Sequence, residues 1–291
     1  MHDGLRGYVL SEPSHIVIFG TELDVEEGAK TIEHFCAFDD ARVGGVEVDS
    51  RGGVYVGVDG GIWYLDNVRG LRDFEATSAP GERVGEVRTK QMCTNATTAT
   101  ALGEDGKLYT ATRDPRYAKC LGRAYTGSTE FEALSYFSET CVKKISSGGY
   151  MSAAVSEDGE LFIWGQANPG GGEQLAVLKE EGGKVEAGII VEEGQDETVK
   201  CLSVFIENEE ASVYDVAVGH GHVLVAAEVQ RGGGTRRRAV FGAGESGKGQ
   251  LGLSSKARFV QNFEELPAFR DVKVQQLFAT AWSTFVVTMA D

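Results

Sequence analysis

The chain has 291 residues, 39 of them glycine and only 5 proline, with 42% hydrophobic and 25% charged residues. That is enough apolar material for one or two packed cores, which excludes a disordered chain, and no apolar run approaches the roughly 20 residues of a membrane-spanning helix. The net charge of −16, from 44 acidic against 28 basic residues, repels a phosphate backbone and argues against direct nucleic-acid binding.

Glycine at this level without proline predicts many tight turns between short strands. The cysteines, Cys36, Cys93, Cys120, Cys141 and Cys201, are odd in number, far apart and free of a CxxC pair. They read as reduced thiols, not as a disulfide framework or zinc site. The first residues lack a basic region followed by an apolar stretch, so no secretory signal is read, and the protein is expected in the cytoplasm or nucleus.

In chain order, the first element is a short strand, His15–Phe19, ending on Gly20. Val46 to Tyr55 then carries a Gly52-Gly53 turn. One step later Met92, Ala99–Leu102, Asp105-Gly106 and Leu108-Tyr109 repeat it, and a step of 53 residues leads to the fullest copy, 142–165. That copy reads as a strand, a turn at Gly148, a small-residue strand, an Asp158-Gly159 hairpin and an aromatic strand ending Trp164-Gly165. An Asp-Gly pair supplies the positive φ that a tight hairpin needs. Val199–Ile206 follows as a candidate strand of a degenerate blade. Val213–Val225, with Gly219 and His222, repeats the opening half of the unit, and Ala239 to Gly242 is matched to Ile163-Trp164-Gly165. Val274–Thr288 is a last copy holding only the inner strands.

A period near 53 residues marks a repeat architecture. The truncated last copy and the lone first strand complement each other. They predict an all-β fold, a single β-propeller domain over 1–291 with five to seven blades, closed by pairing N- and C-terminal strands in one blade, and almost no long helix.

Gly219-x-x-His222, the run Ser156 to Gly165 and Gly249-Gln250-Leu251-Gly252 after Phe241-Gly242 resemble the family of regulator of chromosome condensation repeats. Thr112, where an aromatic-Gly pair is expected, and Met151, where a histidine is expected, depart from the pattern. The resemblance implies a propeller whose repeat positions here are Gly148, Asp158, Gly159, Trp164, Gly165, Gly219, His222 and Gly242. That fold serves as exchange factor, enzyme inhibitor or scaffold, so fold alone does not give function. A short, acidic, single-propeller chain is similar to the alpha-tubulin suppressor type, which pairs with the small zinc-ribbon protein of diphthamide synthesis. The similarity implies a non-enzymatic regulatory subunit in a heterodimer that supports diphthamide synthesis and Elongator-dependent modification of tRNA wobble uridines. It implies no cofactor and no membrane or direct nucleic-acid contact. The alternative is a guanine nucleotide exchange factor for a small Ran-like GTPase, although no inserted wedge is evident.

The remaining motifs are weighed on their chemistry. Gly242 to Gly249 approximates a phosphate-binding loop, but Gly249 replaces the hydroxyl residue and no helix follows. His220 and His222 form an HxH pair lacking a third metal ligand; His222 reads as structural, and no metal or catalytic residue is assigned. Trp63, Tyr64, Tyr150 and Trp282 fall near turns and, with His220, are the candidate partner-binding residues. Packing between wedge-shaped blades is the equal alternative for the aromatics. Arg236-Arg237-Arg238 after Gly232–Gly234 reads as a solvated hairpin tip. Gly171 to Asp215 holds 12 acidic and 3 basic residues, a solvated segment suited to steering a basic partner.

Overall fold

The computed structural model describes residues 7–10, 15–19, 32–37, 43–71, 81–167, 169–170, 172–179, 188–191, 198–253 and 257–289. The chain divides into two compact units, Met1–Met92 and Cys93–Asp291. Glycine and aspartate turns fold both into antiparallel hairpins, and among the described residues every helix is a short 3₁₀ turn.

In the first unit, β1 (Gly7–Leu10), β2 (His15–Phe19) and β3 (Ile32–Ala37) form one sheet with β2 in the middle. Both edges of β2 are therefore occupied, by β1 and by β3. A second sheet takes β4 (Val43–Val48), β5 (Val54–Val58), β6 (Gly61–Leu65) and β7 (Glu82–Gly85) in chain order. Its β4–β5 turn is built on Asp49, whose Oδ1 accepts N–H bonds from Arg51 and Gly53 while Oδ2 accepts the Tyr64 hydroxyl. All of β5 is buried, on both faces, as in a strand covered from two sides.

The unit boundary falls within β8 (Thr89–Thr94), which shares a sheet with β9 (Thr98–Gly103), β10 (Leu108–Thr112) and β11 (Glu132–Ala133). Next come β12 (Val142–Gly148), β13 (Met151–Ser156) and β14 (Leu161–Gly165), joined as the sequence predicts by a glycine turn and the Asp158-Gly159 hairpin. Gly159 has φ +88°, and a Cβ there would overlap the Ser212 hydroxyl. The short β15 (Ile189–Val191) pairs with β16 (Val199–Ile206). β16 is not a strand of a degenerate blade: it ladders onto β14 as the outer strand of that sheet, then turns back at Glu207-Asn208. β17 (Glu209–Val218), β18 (His222–Gln230), β19 (Arg236–Glu245) and β20 (Phe259–Glu265) continue the ladder from β16 in one nine-stranded path and form its second four-stranded section, the next sheet of the repeat; β21 (Val274–Ala279) and β22 (Thr284–Thr288) pair in a separate two-stranded sheet.

Hydrophobic clusters lie between successive sheets of this unit. Leu102 and Leu108 meet Phe162 and Trp164 in one, Ala153 and Ile163 meet Val216 and Val225 in the next, and Leu224 and Val240 meet Leu277 in the third. The inner strands carry small residues such as Ala153, Ala154, Ala226 and Ala227, all fully buried, which lets neighbouring sheets approach. Trp164 is wholly buried as expected, and its Nε1–H donates to the Cys120 carbonyl at 3.2 Å.

Two features of the register were not legible in the repeat. First, Gly165 pairs with Met151, and the corresponding pair in the next sheet is Gly244 with His222. Gly165 and Gly244 have φ +100° and +101°, and a Cβ on either would overlap a carbonyl, of Tyr150 or Gly221. The structural counterpart of Gly165 is thus Gly244, two residues beyond Gly242. Second, a β-bulge recurs near the start of β12 and β21 and midway along β17, and the residues after it are Lys144, Gln276 and Asp215 respectively. Asp215 is 4% exposed; its Oδ1 accepts from Lys144 Nζ and the Val216 N–H, and its Oδ2 from the Leu277 N–H at 2.7 Å.

Asp215→Ala strands a half-buried ammonium and a buried N–H, and is expected to lower unfolding free energy by about 3 kcal/mol in urea titrations. In the same assay Gly244→Ala is expected to cost about 2 kcal/mol or more and Gly242→Ala distinctly less, since only Gly244 combines positive φ with a carbonyl in the way.

Candidate functional site

Four turns of the second unit are structural equivalents, each closed by the same backbone bond: Asn95 N–H to Thr98 O, Gly148 paired with Met151, Gly219 N–H to His222 O, and Thr280 N–H to Ser283 O. They are also tied to one another, by Ala96 N–H to the Gly149 carbonyl and His220 N–H to the Ala281 carbonyl. A Cβ on Gly148 would strike the carbonyls of Val218 and Gly219, which explains the glycine at that junction. These bonds place the turns side by side, with Tyr150 and Trp282 at matching turn positions.

Trp282 is 44% exposed. The His220 ring lies 4.7 Å from it, tilted by 55°, and Lys248 Nζ sits 4.6 Å from its centroid. His220 and Lys248 are both exposed, so a cationic group and an imidazole hold one indole in place at the surface. Beside them Glu245 is raised above the usual carboxylate range by partial burial and by the charge of Glu173, with His220 opposing. Tyr150 packs edge-on against Tyr117 at 5.0 Å, and Arg116 lies 5.8 Å from the Tyr117 ring. Arg116 is fixed by Asp114, the capping residue of the 3₁₀ turn Pro115–Leu121. Tyr117 and Arg116 lie in a connection between strands, outside the repeat register, and Lys248, which the sequence places only in the near phosphate-binding loop, is instead the cation over Trp282.

Other candidates belong elsewhere. Trp63 and Tyr64 lie inside β6, not near a turn. Tyr64 is 8% exposed, bonded to Asp49 and packed on Tyr55 at 4.9 Å, so it is a core residue and not a docking group. Trp63 is half-buried, with the Arg83 guanidinium 5.9 Å from its ring. The arginine triplet is an ion-pair lattice and not a solvated tip: Arg236 and Arg238 bind Glu228, and Arg237 binds Glu207 and Asp271. Ser246–Gly252 forms turns, and among the described residues no helix follows them, consistent with repeat glycines and not with a phosphate loop. Cys93, Cys120, Cys141 and Cys201 are free thiols, and burial pushes Cys120 up to about 11. Among the described residues no group of three or more His, Cys, Asp or Glu is placed to hold a metal.

No protein-family model matches the chain. A 68-residue stretch, 23% of the chain, is 41% identical to the X-linked retinitis pigmentosa GTPase regulator of Canis lupus familiaris, a match spanning 7% of that protein. Among solved structures, Prp20p of Saccharomyces cerevisiae aligns with a TM-score of 0.59 at 14% identity, over 96% of this chain and 66% of that one. The same yeast protein, described as yeast RCC1 bound to Kap60, aligns at 0.58 over 63% of its chain. Human WBSCR16 aligns at 0.51 and 14% identity, over 96% of this chain and 83% of that one. The fold is therefore an all-β propeller. More particularly, its fold is similar to that of Prp20p, described as yeast RCC1.

His222 is structural, as its repeat position implies. It is fully buried, and its Nε2 meets the Thr284 hydroxyl in the following sheet at 3.2 Å. Burial pushes the imidazole down to about 4, the nearby His220 backbone offsetting part of this and the His220 charge adding to it. The unfolded chain takes up this proton near the ordinary value of 6.5, whereas the native state resists it until about 4. The stability from neutral His222 is then full above pH 6.5, declines as pH falls from 6.5 to 4, and is gone below 4, a total of roughly 3 kcal/mol at most. Thermal melts across this window are expected to fall more steeply for the native protein than for His222→Asn, which lacks the titrating ring.

Proposed function

We propose that the protein is a non-enzymatic interaction module, a single propeller domain over residues 1–291, that binds and modulates a partner protein through the turns carrying Tyr150, His220 and Trp282. The observation that carries this reading is the exposed Trp282 ring, held between His220 and Lys248 on a face built from rigid, mutually bonded turns. Aromatic side chains fixed on rigid elements are the usual anchors of protein interfaces.

The partner in the finer form of this proposal is a small zinc-ribbon protein of diphthamide synthesis. The pair would be a heterodimer of the cytoplasm and nucleus supporting Elongator-dependent tRNA wobble uridine modification. Its support is the resemblance of a short, acidic chain of degenerate repeats to the alpha-tubulin suppressor type. A second reading is an exchange factor for a small Ran-like GTPase. It is favoured by the 41% identity over 68 residues to a GTPase regulator and by the likeness to Prp20p, whose structure was described with its binding to Gsp1p and histones.

Affinity capture with the tagged chain from its own cell extract is expected to recover a small zinc-ribbon protein, and Trp282→Ala to weaken that association by roughly 2 kcal/mol or more in a purified titration. Recovery of no such protein overturns the finer assignment. Accelerated nucleotide release from a Ran-like GTPase in the presence of the purified chain reverses the order of the two readings.

A further inference from the structure

Trp282 already carries a cation. The Lys248 ammonium lies 4.6 Å from its ring centroid, and the His220 ring stands beside it at 4.7 Å. Among the described residues Lys248 has no carboxylate within ion-pair distance, so the indole is its one side-chain contact. Its backbone is fixed independently of the ring. The Lys248 N–H donates to the Gln250 side chain at 2.8 Å, Gln250 is buried, and the Gly249 N–H closes a turn on the Ser246 carbonyl. Gly247 and Gly249 flank the lysine, and all three residues are exposed. The side chain can therefore leave the ring without moving the fold. An exposed ammonium–indole contact is weak, so another cation can take its place.

Carboxylates frame the same place. A Cβ on Gly221, next to His220, would come within 2.7 Å of Glu245 Cγ and 3.6 Å of the Ala167 carbonyl, so the chain leaving β19 and the chain leaving β14 both reach this turn. Glu245 lies close enough to Glu173 and His220 to feel the charge of each. Among the described residues neither carboxylate has an ion-pair partner. Glu173 also belongs to the run from Gly171 to Asp215, with its 12 acidic and 3 basic residues. An exposed indole that holds an ammonium, with two unpaired carboxylates beside it, matches a basic side chain. An acidic segment would meet the same two carboxylates and be repelled.

We propose that Lys248 stands in for a partner's lysine: it covers the Trp282 ring in the free chain and gives way when a partner polypeptide lays its own lysine ammonium over Trp282, beside Glu245 and Glu173. This names the partner chemistry of the turn face, and it rests on the reading above that Trp282 docks a protein. It also fixes the sign of one effect. A residue that competes for the ring lowers the population able to bind, so removing Lys248 strengthens the association. Removing a residue that itself grips the partner would weaken it.

The test is fluorescence anisotropy on the full chain with a fluorescein-labelled acetyl-Gly-Lys-Gly-Lys-Gly peptide and its neutral acetyl-lysine counterpart, up to about 1 mM protein at about 0.05 and 0.15 M salt. The lysine peptide is expected to bind, more weakly at the higher salt, and the acetyl-lysine peptide to bind little. Lys248→Ala is expected to tighten binding about threefold, and Trp282→Leu to weaken it about fivefold. Glu245→Gln should lose about threefold. Glu160→Gln makes the same charge change at the Asp158-Gly159 hairpin, the opposite end of β13 and β14, and should stay within about twofold of the native chain. Lys248 and Trp282 are surface side chains, so their variants keep the fold. The proposal is overturned if Lys248→Ala leaves binding unchanged or weakens it, if the acetyl-lysine peptide binds equally well, or if neither peptide binds. It is overturned in favour of an acidic partner segment if a glutamate peptide binds and is lost in Lys248→Ala. In each of these cases a weaker hold of Trp282→Ala on the captured partner leaves the turn face standing as the interface, and an unchanged hold removes that reading as well.

Discussion

The buried carboxylate of Asp215 ties three successive sheets together, and the placement of the turn face follows from it. Lys144 reaches it from β12, and the Leu277 amide from β21 donates to its other oxygen. A buried charge is costly unless paired and hydrogen-bonded, and here it is both, so any slip of one sheet against the next would strand it. Lys144 and Asp215 stand at the same place in their respective sheets, immediately after a bulge. Bulges re-aim side chains, and here they turn two equivalent positions toward each other.

With the sheets locked at that level, the connecting turns above β12, β17 and β21 fall into line. The interlocking of Ala96 with Gly149 and of His220 with Ala281 is backbone to backbone, and it requires glycine where the turns approach most closely, at Gly148 and Gly149. This leaves the other side chains at the turn tips free to vary, and the chain places Tyr150 and Trp282 there. His222 adds a neutral bond to Thr284 beneath the same face. The support is rigid and the presented groups are aromatic, a division of labour suited to recognising another protein. Meanwhile the arginine triplet and the acidic hairpin at Glu207 and Glu209 cross-link the outer strands through ion pairs on the rim.

The hairpins of 142–165 were readable because each signal is local: Asp-Gly for the turn, alternation for the strands, a terminal glycine for the tight approach. The glycine phase was not. Gly242 and Gly244 are two residues apart, and a slip of two keeps every side chain on the same face, so alternation cannot distinguish them. Only the left-handed backbone at Gly244, pressed against Gly221, does so. The role of β16 was hidden for a similar reason. A strand's sequence states that it pairs but not with which neighbour, and its ladder to β14 is formed across an inserted segment. Trp63 and Tyr64 were misplaced because aromatic residues fit a buried strand as well as a turn.

The amino-acid sequence by itself determined a great deal about this protein. It set the all-β class, the recurrence of short hairpins and the 39 glycines that make their turns possible, because these depend on φ angles and side-chain alternation within a few residues. The tertiary structure alone decided which residues meet. His220, Lys248 and Trp282 come from three separate connections, and Lys144, Asp215 and Leu277 from three separate sheets. Such meetings are fixed by how sheets stack and where bulges turn their strands, and no local spacing encodes that distance.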